Sequence, residues 1–148
     1  MTDKEFDSTI SRVRKIINRW ITPCGLRTWQ NVDFQYHRNM AEMADSSNQM
    51  LSEKERNVAG RAVVDWDYRR ATIHLNMDIL SRSTDEDVDY IIRHEICHLL
   101  VNEMREWSMY EKDVTSCIQH EERVVTDLAM VLGWVRMAGR RDPRPKKK

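Results

Sequence analysis

The chain has 148 residues, 41% of them hydrophobic and 32% charged, and its formal net charge is zero. This size suits one domain with a modest core, and the charge balance excludes a general electrostatic attraction to nucleic acid or acidic surfaces. No run of 18 apolar residues and no N-terminal signal peptide is apparent, so we expect neither a transmembrane helix nor secretion.

The first half of the chain predicts a helix followed by three short strands. Near the N-terminus, apolar residues recur every three or four positions, which is typical of an amphipathic helix, and Pro23 and Gly25 end it. Further on, apolar and polar residues alternate in three runs, as in strands with one buried face. The predicted elements are a helix over 3–21 and strands over 29–37, 61–66 and 71–76. The polar segment 39–55 predicts a loop or a short exposed helix.

The last two strands are predicted to form a hairpin. Residues 67–70 (Asp-Tyr-Arg-Arg) separate them, although this turn lacks the usual glycine. In the third strand, Ile73 and Leu75 lie on one side and Thr72 and His74 on the other. That alternation predicts a half-buried or edge strand in a small three-stranded sheet.

The second half of the chain predicts two helices and a tail. Two overlapping capping boxes within 81–87 start a helix that runs to about Met104. A polar connector over 106–112 leads to a last helix from about Val114 to Met137, which has one apolar face. Residues 140–148 are basic and contain prolines, so we expect a disordered tail behind a single domain over 1–139. The predicted fold class is α+β.

The three cysteines indicate where the protein resides. Cys24, Cys97 and Cys117 are odd in number and form no C-x-x-C pair. A chain without a disulfide framework suits a reducing compartment. We therefore expect a soluble, cytoplasmic protein.

Residues 94–98 read His-Glu-Ile-Cys-His, an H-E-x-x-H motif within the first of the two later helices. On a helix, residues i and i+4 share a face, so His94 and His98 can direct imidazole nitrogens at one metal ion. Glu95 is offset by one residue and can reach a water on that metal. Two neutral imidazoles, a water and a nearby carboxylate are the minimum for a metal-assisted hydrolase.

A catalytic zinc usually takes a third protein ligand, and the last helix offers His120, Glu121 and Glu122. On a helical wheel, Glu121 falls at the centre of the apolar face and Glu122 at its edge. A carboxylate at the centre of an apolar face needs a partner, because an unpaired buried charge is costly. Burial alone therefore favours Glu121.

The motif resembles the zinc-binding helix of the zincin metallopeptidases, and residues 122–129 are similar to the second motif of the gluzincin group. In that motif a ligand Glu precedes a small or apolar residue at +3, a polar residue at +4 and often Ala at +7. Val125, Thr126 and Ala129 fill those places after Glu122. Many gluzincins have Asp at +4, whereas Asp127 here comes one place late. The resemblance favours Glu122 and implies a minigluzincin-type domain, similar to small metallopeptidase-like proteins of phages and prophages.

This resemblance implies a zinc-dependent metallopeptidase that acts on a peptide or protein. His94, His98 and Glu122 would bind Zn²⁺, with Glu121 as the second choice for the third ligand and His120 as the third. Glu95 would act as general base toward a water on the metal. Many small zincins also bind extended peptide by β-addition to a strand that precedes the active-site helix.

Several details remain open from the sequence. The resemblance gives Tyr110, His120 and Arg123 as candidates for stabilising the oxyanion. Cys97 faces either the core or the metal. The ligand types alone do not distinguish zinc from other divalent ions, and the oligomeric state is not determined.

Two other functions compete with hydrolysis. The domain could bind metal and a protein partner without catalysis, since fold does not imply function. H-E-x-C-H also occurs in the SprT-like proteases, which act at DNA and commonly carry a Cys-rich zinc ribbon that these 148 residues lack. We expect no membrane partner, and nucleic acid only through the basic tail at 140–148.

Overall fold

The computed structural model describes residues 1–40, 58–65, 68–108 and 114–141, without the side chains of 102–108, 114–117, 120 and 139–141. Over these ranges four α-helices accompany a three-stranded mixed sheet, which confirms the predicted α+β class. The helices are α1 (Asp3–Ile21), α2 (Met77–Arg82), α3 (Asp85–Ser108) and α4 (Val114–Arg141). The strands are β1 (Asn31–His37), β2 (Gly60–Asp65) and β3 (Arg70–Asn76).

Helix α1 begins and ends where its sequence pattern predicts. A capping box starts it: Thr2 Oγ1 accepts from the Glu5 N–H, and the Glu5 carboxylate accepts from the Thr2 N–H at 2.7 Å. Its apolar stripe, which includes Val13, Ile17 and Trp20, is buried in the main core. Burial of this stripe, more than helix propensity, holds α1 in place.

The sheet has the order β1-β3-β2, so the last strand in sequence lies in the centre. Strands β1 and β3 pair in parallel, whereas β2 and β3 are antiparallel. The alternation in β3 is confirmed, since Ile73 and Leu75 are fully buried. The alternative of an edge strand is wrong, because alternation reports one open face of a sheet and says nothing about a free backbone edge.

Local side chains determine how the chain passes from β2 to α3. Arg69 takes the left-handed conformation, with φ of 48°, in the hairpin where glycine is usual. Asn76 ends β3 and caps α2, since its Oδ1 accepts from the Ile79 N–H. Of the two capping boxes predicted before α3, the one that forms joins Thr84 and Asp87.

Both later helices run further than predicted. Helix α3 continues to Ser108 instead of Met104, and α4 continues to Arg141, so the first two residues of the predicted tail are helical. The predicted features at 41–57, 109–113 and 142–148 and the side chain of Cys117 lie outside the described residues.

None of the helices described is both long enough and apolar enough to cross a membrane.

A polar cluster joins α1, α3 and α4. The Trp20 indole N–H donates to Asp89 Oδ1 at 3.0 Å, and Asp89 Oδ2 accepts from Arg93 Nε at 3.0 Å. The Arg93 guanidinium lies over the Trp20 ring and also donates to the Ala129 carbonyl of α4. Gly133 leaves room for it, because a Cβ at that position would collide with the guanidinium. Arg93 therefore connects the main core to the last helix.

We predict that Gly133→Ala lowers the free energy of unfolding by about 1–2 kcal/mol in urea denaturation. Alanine gains about 1 kcal/mol in helix propensity, but displacing Arg93 loses charged hydrogen bonds that contribute about 1.5–3 kcal/mol each. In an Arg93→Met background the same change should instead stabilise the protein, since only the propensity gain remains. Stabilisation by Gly133→Ala in the wild-type background would contradict this account.

Candidate metal centre

Helices α3 and α4 bring three potential metal ligands together. His94 and His98 lie one turn apart on α3, and their Nε2 atoms are 3.3 Å from each other. Glu122 of α4 approaches both: Oε2 lies 3.4 Å from His94 Nε2, and Oε1 lies 3.5 Å from His98 Nε2. Among the described residues, these form the group of His, Cys, Asp and Glu side chains close enough to hold one metal ion.

These distances fit a tetrahedral zinc site. With metal–ligand bonds of about 2.0–2.1 Å, neighbouring ligand atoms in a tetrahedron are about 3.3–3.4 Å apart. Two imidazole nitrogens and one carboxylate also form a typical donor set for a catalytic zinc with one open position. The Glu122 side chain is 52% exposed, so solvent or a substrate can reach the cluster. The residues present therefore fit zinc.

Glu121 lies behind the cluster and hydrogen bonds to His98. Its Oε1 is 3.0 Å from His98 Nδ1, and its side chain is only 7% exposed. A carboxylate can only accept a hydrogen bond, so in the neutral His98 ring this contact favours the proton on Nδ1 and directs the lone pair of Nε2 at the cluster. The position of Glu121 on the apolar face indicated a partner for its carboxylate, and that partner is His98 Nδ1, a contact that orients the ring.

The two histidines differ in their electrostatic environment. Burial and the charge of His98 lower the pKa of His94, which favours the neutral ring that binds metal. Burial acts in the same direction on His98, but the hydrogen bond to Glu121 and the charges of nearby carboxylates outweigh it and raise the pKa of His98. The Nδ1 atom of His94 is buried and has no hydrogen-bond partner among the described residues.

Glu95 lies between α3 and the edge strand β2. The residue is only 6% exposed, and the Ala62 backbone N–H donates to its carboxylate. Burial raises the pKa of Glu95 to about 7, while the charges of His98 and Glu122 act on it in opposite directions. A Cβ added to Gly60 would lie 2.7 Å from Glu95 Cγ and 2.8 Å from Oε1. The missing side chain of Gly60 thus lets β2 approach the carboxylate closely.

Cys97 faces the core and not the metal cluster. It is fully buried between α3 and α4 with Val101, Val125 and Ala129. Burial raises the pKa of its thiol to about 12, so it carries no thiolate near neutral pH. Its position within the motif therefore serves helix packing.

The three candidates for the oxyanion stabiliser do not meet at the metal centre within the part of the chain that the structure describes. Arg123 is exposed on α4, next to Glu122. Tyr110 and the side chain of His120 lie outside the described residues. The structure therefore assigns no residue to this role.

A sequence profile of the SprT-like family matches residues 27–121, which is more than half of the chain. The match spans the three strands and the whole H-E-x-x-H motif, and it ends one residue before Glu122. Searches among curated proteins and among solved structures gave no match.

We predict that the two neighbouring glutamates affect metal affinity unequally. Glu122→Gln should abolish tight zinc binding, because a neutral amide replaces a charged ligand. Glu121→Gln should weaken it by no more than about 10- to 100-fold, the usual cost of losing a partner behind a ligand. Competition with a chromophoric zinc chelator measures both. The reverse order of effects would make Glu121 the ligand.

Proposed function

The chain belongs to the SprT-like family, and from this membership and the geometry of the metal centre we propose that it is a zinc-dependent metallopeptidase. The family has a fold related to the zincin metallopeptidases. The observation that supports the proposal most strongly is the cluster of His94 Nε2, His98 Nε2 and the Glu122 carboxylate, with separations of 3.3–3.5 Å, beside the buried Glu95.

The proposed reaction is hydrolysis of a peptide bond. Zinc held by His94, His98 and Glu122 would supply a Lewis acid that polarises the scissile carbonyl and acidifies water. The Glu95 carboxylate accepts a proton from the attacking water and then donates it to the leaving amine, so that it ends the cycle ionised. Glu121 keeps the proton of His98 on Nδ1, which leaves Nε2 available throughout.

The substrate is proposed to bind along β2. This strand pairs with β3 on one side only, and among the described residues no strand covers its other side. An extended peptide can add to that side by backbone hydrogen bonds, as many small zincins bind theirs. Because Glu95 contacts β2 at Gly60 and Ala62, such a peptide would pass directly over the catalytic carboxylate.

The experiment that tests this function compares Glu95→Gln with a His94→Ala/His98→Ala double variant. We expect the wild type to carry about one zinc per chain and to cleave an unfolded protein substrate, followed by mass spectrometry. Glu95→Gln should keep the zinc and lose about 10²- to 10⁴-fold in rate, because it lacks only the proton acceptor.

The double variant is expected to lose both zinc and cleavage. A wild-type protein that binds zinc but cleaves no peptide would support the alternative of a catalytically silent binding domain. A wild-type protein that binds no zinc after loading would refute both functions.

A second prediction concerns Gly60. Gly60→Ala should lower the cleavage rate by about 100-fold, since displacing a catalytic group by about 1 Å has effects of that size. Zinc content should change little, whereas the midpoint of thermal unfolding should fall, because the collision includes Cγ of the buried Glu95 side chain. Activity equal to that of the wild type would show that β2 has room to move away from Glu95.

A further inference from the structure

Helix α4 carries a second apolar surface on the side facing away from α3. Seven of its large apolar residues are between 40% and 67% exposed, with Trp134 and Val135 the most exposed. All but Ile118 lie on this outer side. These residues, here called the outer stripe, are Val124, Met130, Val131, Trp134, Val135 and Met137. The opposite side of the same helix is buried through Val125 and Ala129. The outer stripe is therefore additional to the face that α4 needs for folding.

The area of the outer stripe is large for a free surface. At the exposed fractions observed, Trp134 and the five valine and methionine residues together present on the order of 600 Å². Monomeric proteins rarely expose contiguous apolar patches beyond a few hundred Å². Two such stripes facing each other would bury about 1,200 Å², which exceeds the area of about 1,000 Å² expected of a specific interface.

The order of residues along the stripe is self-complementary. If two α4 helices cross antiparallel about a two-fold axis between Met130 and Val131, Val124 faces Met137 of the partner subunit. Met130 likewise faces Val131 of the partner subunit. A two-fold interface requires this kind of matching, because each patch must bind a copy of itself.

Two charged residues, Arg123 and Asp127, lie exposed among the residues of the stripe, and Asp127 fits this arrangement. Asp127 lies exposed between Val124 and Met130. In the antiparallel arrangement it faces Trp134 of the partner subunit, whose indole N–H needs a hydrogen-bond acceptor when it is buried. Both ends of the interface gain the same contact, since the axis repeats it.

We propose that a second copy of this chain covers the outer stripe, forming a two-fold dimer through antiparallel α4 helices. Successive residues of a helix are rotated by about 100°, which places Glu121 and Glu122 on the side of α4 away from the stripe. The dimer thus leaves the metal centre open. Its formation is independent of the proposed function.

The first test is sedimentation analysis over a hundredfold range of protein concentration. An interface of this modest area predicts a dimer with a dissociation constant of about 1–100 µM. Trp134→Ser should weaken the dimer by about tenfold or more, as expected for a central aromatic residue. The matched control is Tyr68→Ser, which removes an aromatic side chain of similar exposure at the hairpin and should leave the dimer unchanged.

The second test fixes the orientation. An equimolar mixture of Val124→Cys and Met137→Cys chains should form a disulfide between the two variants under mild oxidation, identified by peptide mass spectrometry. Each variant alone should not cross-link at the new cysteine, because the two copies of that position lie at opposite ends of an antiparallel pair. Self-linking of both variants would overturn the antiparallel arrangement. A monomeric wild type, or a dimer that Trp134→Ser leaves intact, would overturn the dimer itself.

Discussion

The candidate metal centre depends on how closely α4 packs against α3. Two of its ligands belong to one helix and the third to the other, so the separation of the helices sets the size of the cluster. Small side chains at the contact, including Cys97 and Ala129, allow a close approach. Arg93 adds a hydrogen bond from α3 to the α4 backbone beside Gly133. Close packing of this kind restrains ligand geometry better than a loop would, since packed helices hold their spacing.

The geometry of the α3 half of the candidate centre follows from the sequence more directly than that of the α4 half. The H-E-x-x-H motif lies within a strongly periodic segment, and a helix then puts His94 and His98 on one face. For the third ligand, burial favoured Glu121 and the family resemblance favoured Glu122. The structure brings both to the histidines, with Glu122 beside the two Nε2 atoms and Glu121 on His98 Nδ1. The burial pattern and the family resemblance thus pointed to two neighbouring glutamates, and each glutamate contacts a different nitrogen of the histidines.

The features that the sequence did not predict depend on pairing between strands that are distant in the chain. The alternation in β3 could not indicate that β1 and β2 flank it, because periodicity reports faces and not neighbours. The contact between His37 and His74, whose ring nitrogens are 3.0 Å apart on the outer face of the sheet, exists only because β1 and β3 pair in parallel. The positive φ of Arg69 could not be predicted either, since the hairpin forces a conformation that arginine does not favour.

The strand order has a consequence for how the protein is made. Strand β1 is synthesised first and β2 second, yet neither pairs with the other, because β3 separates them. On the ribosome, both strands therefore emerge with unpaired backbone edges. They can pair only after β3, which ends at Asn76, has been synthesised. Strand β3 is followed at once by α2 and the histidine-bearing α3. Completion of the sheet and appearance of the metal-binding helix are thus successive events in translation, and a nascent chain that stalls before Asn76 exposes two strand edges to aggregation.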